Sequence, residues 1–478
     1  MQRFLCWDKK NVAYERGISM LQHKPEKKNI ALKCNDEWDG AGNNYASVIK
    51  VGDTYRMYYR VTAQEGGHLE QYGNPKWSMY CVAESTDGGI TFQKKKIGRL
   101  EYMGSKDNNI IFRNENGMQT DTFTVFYDDN PACPEDEKFK GMARYTGTDK
   151  LEFYISRDGY EFTFVKNLPV QGTFDSYNVV FFNKETGKYN LYYRGYHHKD
   201  GTSTKSLAET DLVNDIRDVR LAVSDDFRNW EFIDFIKLNA KREIQMYTNH
   251  ISKYYREPGT YIGFPTRYCD RLAHRESYNY MPLADIRNHI IDTQGRIASA
   301  QTDCGIMTST DGLSFDLRYA AFMTSGPECS TNWWYGDGYL AYGLVETWAD
   351  DGENREISLY IDENSQTKRV DFRRYTIRLD GFFSWYGDGD GAEVVTKPFV
   401  LKNAKMFANF ATSALGSLNV TVLDKDGKEI DGYKSYTLFG DSTNRPVTFD
   451  KDLSELVGKE IQLRFEMEDC YLYSYTFE

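Results

Sequence analysis

The stretch Ser85-Thr-Asp87-Gly88-Gly-Ile-Thr-Phe92 returns along the chain as Ser156-Arg-Asp158-Gly159-Tyr-Glu-Phe162, Ser224-Asp-Asp226-Phe-Arg-Asn-Trp230 and Ser309-Thr-Asp311-Gly312-Leu-Ser-Phe315, with a degenerate fifth copy at Leu379-Asp380-Gly381-Phe382. Its aspartates lie 71, 68, 85 and 69 residues apart. Asp-Gly between apolar runs is a tight-turn signal, because glycine supplies positive φ and the aspartate bonds the backbone that follows. A period near seventy residues is the mark of a repeat architecture.

Strand patterns keep the same beat. Tyr55-Arg-Met-Tyr-Tyr-Arg60 and Tyr189-Asn-Leu-Tyr-Tyr-Arg194 are near copies, and Phe139–Tyr145, Thr260–Phe264 and Glu356–Tyr360 occupy comparable places. Each follows another apolar or alternating run, at 45–49, 123–127, 178–182, 249–254 and 339–345, and helical periodicity is almost absent. Four strands per unit and five units between about residues 35 and 385 predict an all-β fold, a five-bladed β-propeller. From about Ala392 the beat is lost. Segments such as Ser417–Leu423 and Glu460–Glu466, joined by turns like Asp424-Lys-Asp-Gly427, read as a C-terminal β-sandwich. The expected division is therefore 1–385 and 386–478. Residues 1–30 carry no clear pattern and are expected to close the last blade or lie along the rim.

The composition narrows the partners. The 478 residues include 36 Tyr, 28 Phe and 8 Trp, an excess that suits strands and stacking against sugar rings. A net charge of −12 disfavours nucleic acid and anionic membranes, and no run reaches the length of a membrane span. The eight cysteines are scattered without a C-x-x-C pair and the histidines show no ligand spacing, so no metal or other cofactor is expected. Free thiols, and a start without an apolar signal segment, lead to the expectation of a cytoplasmic protein. The oligomeric state is not readable.

In a propeller the innermost strands converge on one axis, so acids just ahead of them are the candidates for chemistry. These are Asp39, Asp121, Asp175 and Glu243, with Asp337 in the fifth unit. Carboxylates meeting at one point are what glycosidic cleavage needs, because one must give a proton while another stays ionised. Neighbouring candidates for holding a carbohydrate substrate are Trp38, Asn44, Asn178, Tyr247, Asn249, Arg267 and Trp334, together with Asp337. His250 lies where an inner strand begins. The leading expectation is an exo-acting glycoside hydrolase, with furanosides among the candidate substrates. A glycoside phosphorylase, with phosphate held by Arg60, Arg194 or Arg267, and a non-catalytic sugar-binding propeller stand as alternatives.

With this layout the chain resembles the five-bladed furanosidase superfamily of glycoside hydrolase families 32, 43 and 68, most of all family 32-like proteins with a C-terminal sandwich. The phrases that carry the resemblance are Trp38-Asp-Gly40, Gly104–Asn109, Phe174-Asp-Ser-Tyr-Asn178, Tyr247-Thr-Asn249, Gly263–Arg267, Arg373–Gly381 and Lys459–Phe465. It implies Asp39 as nucleophile or base, Asp121 as transition-state stabiliser and Asp175 as proton donor. The chain lacks the invertases' Asn-Asp-Pro-Asn and Arg-Asp-Pro motifs and has Asp where the donor is usually Glu, which leaves Glu243 as a second candidate donor.

Overall fold

The computed structural model describes residues 1–478 except 41–43, 64–76, 114–119, 146, 212–213, 295–298 and 365–369. Strands take up 51% of the chain and helix 7%. The repeated turns are built as their sequence requires. Asp87 accepts the backbone N–H of Ile90 and of Thr91 at 3.0 Å each, while Ser85 Oγ accepts that of Gly89 at 2.8 Å. Asp158, Asp226 and Asp311 each likewise accept two backbone N–H groups, one residue nearer in sequence than at Asp87. Partial burial opposes ionisation of Asp226 and Asp311, but the backbone N–H donors outweigh it and hold both carboxyls down at about 2.

Each turn joins the third and fourth strands of a meander. Thr120–Tyr127, Phe139–Tyr145, Glu152–Ser156 and Thr163–Asn167 form the second unit. Val179–Asn183, Lys188–His197, Ile216–Ser224 and Glu231–Phe235 form the third. The first unit consists of Ser47–Val51, Thr54–Ala63, Trp77–Ser85 and Gln93–Lys94, with Ile110–Phe112 added. The fourth has Ser252–Lys253, Tyr261–Gly263, Met307–Ser309 and Ser314–Leu317, with Lys237–Leu238 parallel to its last strand. Its longer period has a visible cause. Between its second and third strands the chain inserts Thr266–Asp270, a 3-10 segment Leu272–Tyr280, the helix Ala284–Gln294 and Ala300–Cys304. The fifth unit, Val345–Trp348, Arg355–Glu363 and Val370–Arg378, takes its outer strand from Glu26–Cys34 near the other end of the chain.

At four of the junctions between units a tyrosine hydroxyl donates to the turn of the neighbouring unit. Tyr58 OH of the first donates to Gly159 O in the turn of the second at 3.2 Å, and Tyr192 OH of the third donates to Gly312 O of the fourth at 2.9 Å. Tyr254 OH of the fourth donates to Asp380 Oδ1 of the fifth at 2.6 Å, and Tyr360 OH of the fifth returns to Gly89 O of the first at 2.5 Å. In the third turn Phe227 stands in place of glycine, at φ 63°, fully buried against Phe126 and Phe153 of the second unit. The order of contacts thus comes back to its start.

Residues 1–30, placed with the repeat by sequence, divide between two structures. Gln2–Leu5, Val12–Arg16 and Ile18–Gln22 pair into the C-terminal sheet, for example Gln2 opposite Phe477 and Tyr386 opposite Ser19. The hydrogen bonding therefore does not follow a division at 385/386. That sheet is ten-stranded, and its long strands Met406–Asp424 and Glu460–Phe477 run through an apolar cluster that includes Val420, Leu463, Phe465 and Leu472.

Candidate active site

Strand ends of the first three units bring arginines and aspartates together. Arg60, Arg144 and Arg194 each stand near the end of a second strand, and Asp121 and Asp175 lie at or just ahead of first strands. Arg60 Nη1 donates to Asp121 O at 2.9 Å and reaches its Oδ1 at 3.5 Å. Arg144 Nη1 pairs with Asp121 Oδ2 and lies 3.8 Å from Asp175 Oδ1. Asp121 is therefore clamped between two guanidiniums.

The loop carrying Asp175 is fixed from behind. Phe174 has φ 53°, is fully buried and packs on Tyr193 with ring centroids 5.6 Å apart. Asn178 Nδ2 donates to Phe174 O and Ser176 O, and its Oδ1 accepts the Arg194 N–H at 3.0 Å. Asn178, expected to hold substrate, is committed to the backbone and positions the loop. The Asp175 side chain keeps 31% of its surface exposed in a recess otherwise enclosed by protein atoms. That enclosure, reinforced by the charge of Asp121, pushes its carboxyl up to about 6 against the pull of Arg144, Arg194 and Arg217. Tyr247 completes this wall. Its carbonyl accepts Ser176 Oγ and Arg194 Nη2, and its ring lies 5.0 Å from the Arg194 guanidinium and 5.5 Å from that of Arg217. Burial and the nearby Asp175 push its hydroxyl up to about 12.

A second pair of carboxyls comes from the fifth unit and the loop ahead of it. Asp337 and Asp362 line a recess of about 360 Å³ together with Ser325, Asn332 and Tyr375. Burial pushes Asp337 up to about 6 despite bonds from Ser325 Oγ at 2.9 Å and Trp334 N at 3.3 Å. Asp362 is 3% exposed, neither of its carboxyl oxygens has a hydrogen-bond partner among the described residues, and burial followed by the charge of Asp337 drives it well above the carboxylate range. Arg60 pulls it the other way. Sequence reasoning passed over Asp362, Arg144 and Arg217. The second-strand phrase ending in Arg, present at 60 and 194 and varied at 144, was the available signal.

Other predicted residues stand elsewhere or serve the fold. Asp39 is fully buried and its carboxylate is taken by Lys94 Nζ at 2.5 Å and by the Asp36 N–H at 2.9 Å. Trp38 Nε1 donates to Asn109 Oδ1 at 2.7 Å. Glu243 is exposed on a rim groove of about 300 Å³ lined also by His197, Arg217 and Asp218, and is absent from the ion pairs around Asp175. Arg267 forms a two-pronged pair with Asp303 at 2.6 Å for each bond. Trp334 is 5% exposed and stacked on Arg287, whose guanidinium lies 3.7 Å from the ring. Asn249 is buried and accepts the Ile251 N–H at 3.1 Å, and Asn44 is buried with Oδ1 unpartnered among the described residues. Burial holds His250 neutral, at about 3, and neither ring nitrogen has a partner. A larger recess of about 510 Å³, lined by His23, Arg378 and Asp441, lies against the C-terminal sheet and includes none of these acids.

No protein-family model matches the chain, and no curated protein matches it. Among solved structures it is similar to a glycoside hydrolase, at 13% identity and TM-score 0.45 over 74% of this protein and 92% of that one. It is also similar to an N-acetylgalactosamine deacetylase from F. plautii in complex with blood group B trisaccharide, at 10% identity and TM-score 0.45 over 74% and 95% of the two proteins. A third is from work on the GH130 family of mannoside phosphorylases containing glycoside hydrolases that target beta-1,2 mannosidic linkages in Candida mannan, at 11% identity and TM-score 0.45 over 74% and 94%. Likenesses this distant assign no activity to the chain.

Proposed function

We propose that the chain is a glycoside-cleaving enzyme, a five-bladed β-propeller over residues 26–382 with a β-sandwich made of 2–22 and 383–477. The cyclic order of turn contacts and the outer strand borrowed from Glu26–Cys34 support the five blades, since a ring needs its last unit bonded to its first. The observation that carries the chemistry is Asp175, a partly exposed carboxyl pushed up to about 6 beside an arginine-clamped neighbour, Asp121. Two carboxyl groups in such different surroundings are the arrangement of an acid and its partner.

In this reading Asp175 gives its proton to the glycosidic oxygen as the bond from that oxygen to the anomeric carbon breaks, and the leaving group departs as an alcohol. Asp121 keeps the proton on Asp175 before the reaction. Water then bonds to the anomeric carbon and gives up a proton to bulk solvent, from which Asp175 is protonated again. Asp39, held by Lys94, takes no part.

The test is a panel of glycosides with the parent and Asp175→Asn. The variant should fold normally and lose ~10²–10⁴-fold in turnover on natural glycosides. Activated aryl glycosides, whose leaving group needs little protonation, should be largely spared. Equal turnover by parent and variant on natural glycosides would sink the assignment.

A further inference from the structure

The ion pairs around Asp175 leave two cations over. Four guanidiniums, of Arg60, Arg144, Arg194 and Arg217, surround Asp121 and Asp175, while Asp149 acts on Arg144 and Asp362 on Arg60. Arg60 and Arg144 are matched to Asp121. Arg194 and Arg217 have no carboxylate within ion-pair distance among the described residues. Arg194 is fully buried and donates only to neutral acceptors, Tyr196 Oη at 3.3 Å, Met246 O at 3.2 Å and Tyr247 O. Arg217 is 7% exposed, gives Nη1 to Gln245 Oε1 at 2.5 Å and leaves a buried Nε without a partner among the described residues. Its guanidinium faces the rings of Tyr268 at 4.4 Å, Tyr196 at 5.4 Å and Tyr247 at 5.5 Å. The acid next to it in sequence, Asp218, is used by Arg220 at 2.9 Å and His197 at 3.3 Å.

An arginine stays charged in any protein environment, and a buried charge persists only where something pairs with it. Asp175 lies within ion-pair distance of Arg144, and of neither Arg194 nor Arg217, among the described residues. We infer that the recess takes an oxyanion against Arg194 and Arg217, a carboxylate or a phosphate, beside the sugar that Asp175 protonates. Guanidinium forks match both anions through paired N–H donors, and the tyrosines supply flat apolar walls for the ring that carries or accompanies the anion. This deepens the proposed function and rests on its placing the substrate at Asp175. Two sources fit the same chemistry. The anion belongs to an acidic sugar, or it is inorganic phosphate acting in place of water.

Calorimetric titration of the full chain with glucuronate, inorganic phosphate and uncharged glucose tests this without turnover. At least one anion should bind ~10-fold or more tightly than glucose, and affinity should fall as salt is raised to ~0.5 M. Tighter binding of glucuronate identifies an acidic sugar, and tighter binding of phosphate identifies the co-substrate. Arg217→Gln should abolish the preference for the anion and Arg217→Lys should keep part of it. The salt dependence of the parent decides the matter should the glutamine variant not fold. Asp175→Asn should bind the anion more tightly, since a competing negative charge is gone. Neither anion exceeding glucose, or a preference unchanged in a folded Arg217→Gln, would overturn the inference. Anion binding retained alongside full turnover by Asp175→Asn would instead remove the proton-donor reading and leave the anion site standing.

Discussion

Asp380 closes the repeat and ties it to the C-terminal sheet, so its charge should carry a large share of the stability of that junction. It is fully buried at φ 56°, and its oxygens accept from Arg3 Nη1 at 2.8 Å, Arg256 Nε at 2.8 Å, Tyr254 OH at 2.6 Å and Ser474 Oγ at 2.7 Å. These partners come from the N-terminal strand, the fourth unit and the last strand. Asp380→Asn preserves the shape but removes the charge and turns an N–H₂ toward two guanidiniums. Removing one partner of a buried pair costs ~3–5 kcal/mol. The side chains of Arg3 and Arg256 keep 9% and 17% of their surface in solvent, which favours the lower end of that range. At ~2.1 cal/mol/K per residue, a loss of ~3 kcal/mol lowers Tm by ~3 °C if the chain unfolds as one unit. Burial alone would raise the proton affinity of Asp380, but Arg256 and Arg3 hold its carboxyl below the usual range. Its stabilisation is then complete above the unfolded-state value of ~3.9 and is lost as pH falls through the lower folded value. Urea melts of parent and variant at neutral pH and near pH 3 measure both effects. Stability within ~0.5 kcal/mol of the parent at neutral pH would refute the reasoning, since it lies far below what a broken buried pair costs. Asp431→Asn, which removes a partner of Lys451 that is fully exposed, is the matched control and should leave the midpoint unchanged.

The thiols give a second check: Cys269 and Cys329 are exposed and the other six cysteines are buried, so a thiol reagent should titrate two groups in the native protein and eight after denaturation. Gly312 has φ +75°, and a Cβ there would stand 2.7 Å from Tyr192 Oη and 2.9 Å from Tyr261 Cζ, so Gly312→Ala should lower the thermal midpoint clearly. In Gly187→Ala, at φ +69° with open space around it, only the backbone term remains, and the smaller fall in its midpoint isolates the packing contribution.

Much of the fold was legible because its turns are chemical as well as periodic. Ser-x-Asp-Gly fixes backbone donors locally, so it shows in sequence whatever surrounds it, and the second strands fall where apolar runs placed them, whereas the run at 339–345 lies ahead of the strand Val345–Trp348. The extra length of the fourth unit was visible as a spacing of 85, but its helix was not, because Ala284–Gln294 buries only part of one face, around Ile290 and Ile291. Pairing of Gln2–Gln22 with the C-terminal strands depends on contacts nearly the whole chain apart, which no local pattern records. The candidate site was half legible. Asp121 and Asp175, singled out from their places ahead of inner strands, stand together against Arg144, whereas the clamp on Asp39 comes from Lys94, 55 residues away, and was invisible. Asn178 and Asn249 look like substrate ligands in sequence because amides serve both purposes, and only their backbone bonds separate the roles.

The proposed proton transfer depends on the proton affinity of one carboxyl, and that quantity can be measured without knowing the substrate. Carboxyl-selective ¹³C NMR titration of the parent and of Asp175→Asn isolates the resonance of Asp175 by its disappearance. Two carboxyls, Asp175 and Asp337, should titrate near 6 in the parent, and one of these should vanish in the variant. If the resonance lost with Asp175 titrates at or below the ordinary aspartate value of ~3.9, the carboxyl is an ionised partner of Arg144 at working pH and not a proton donor.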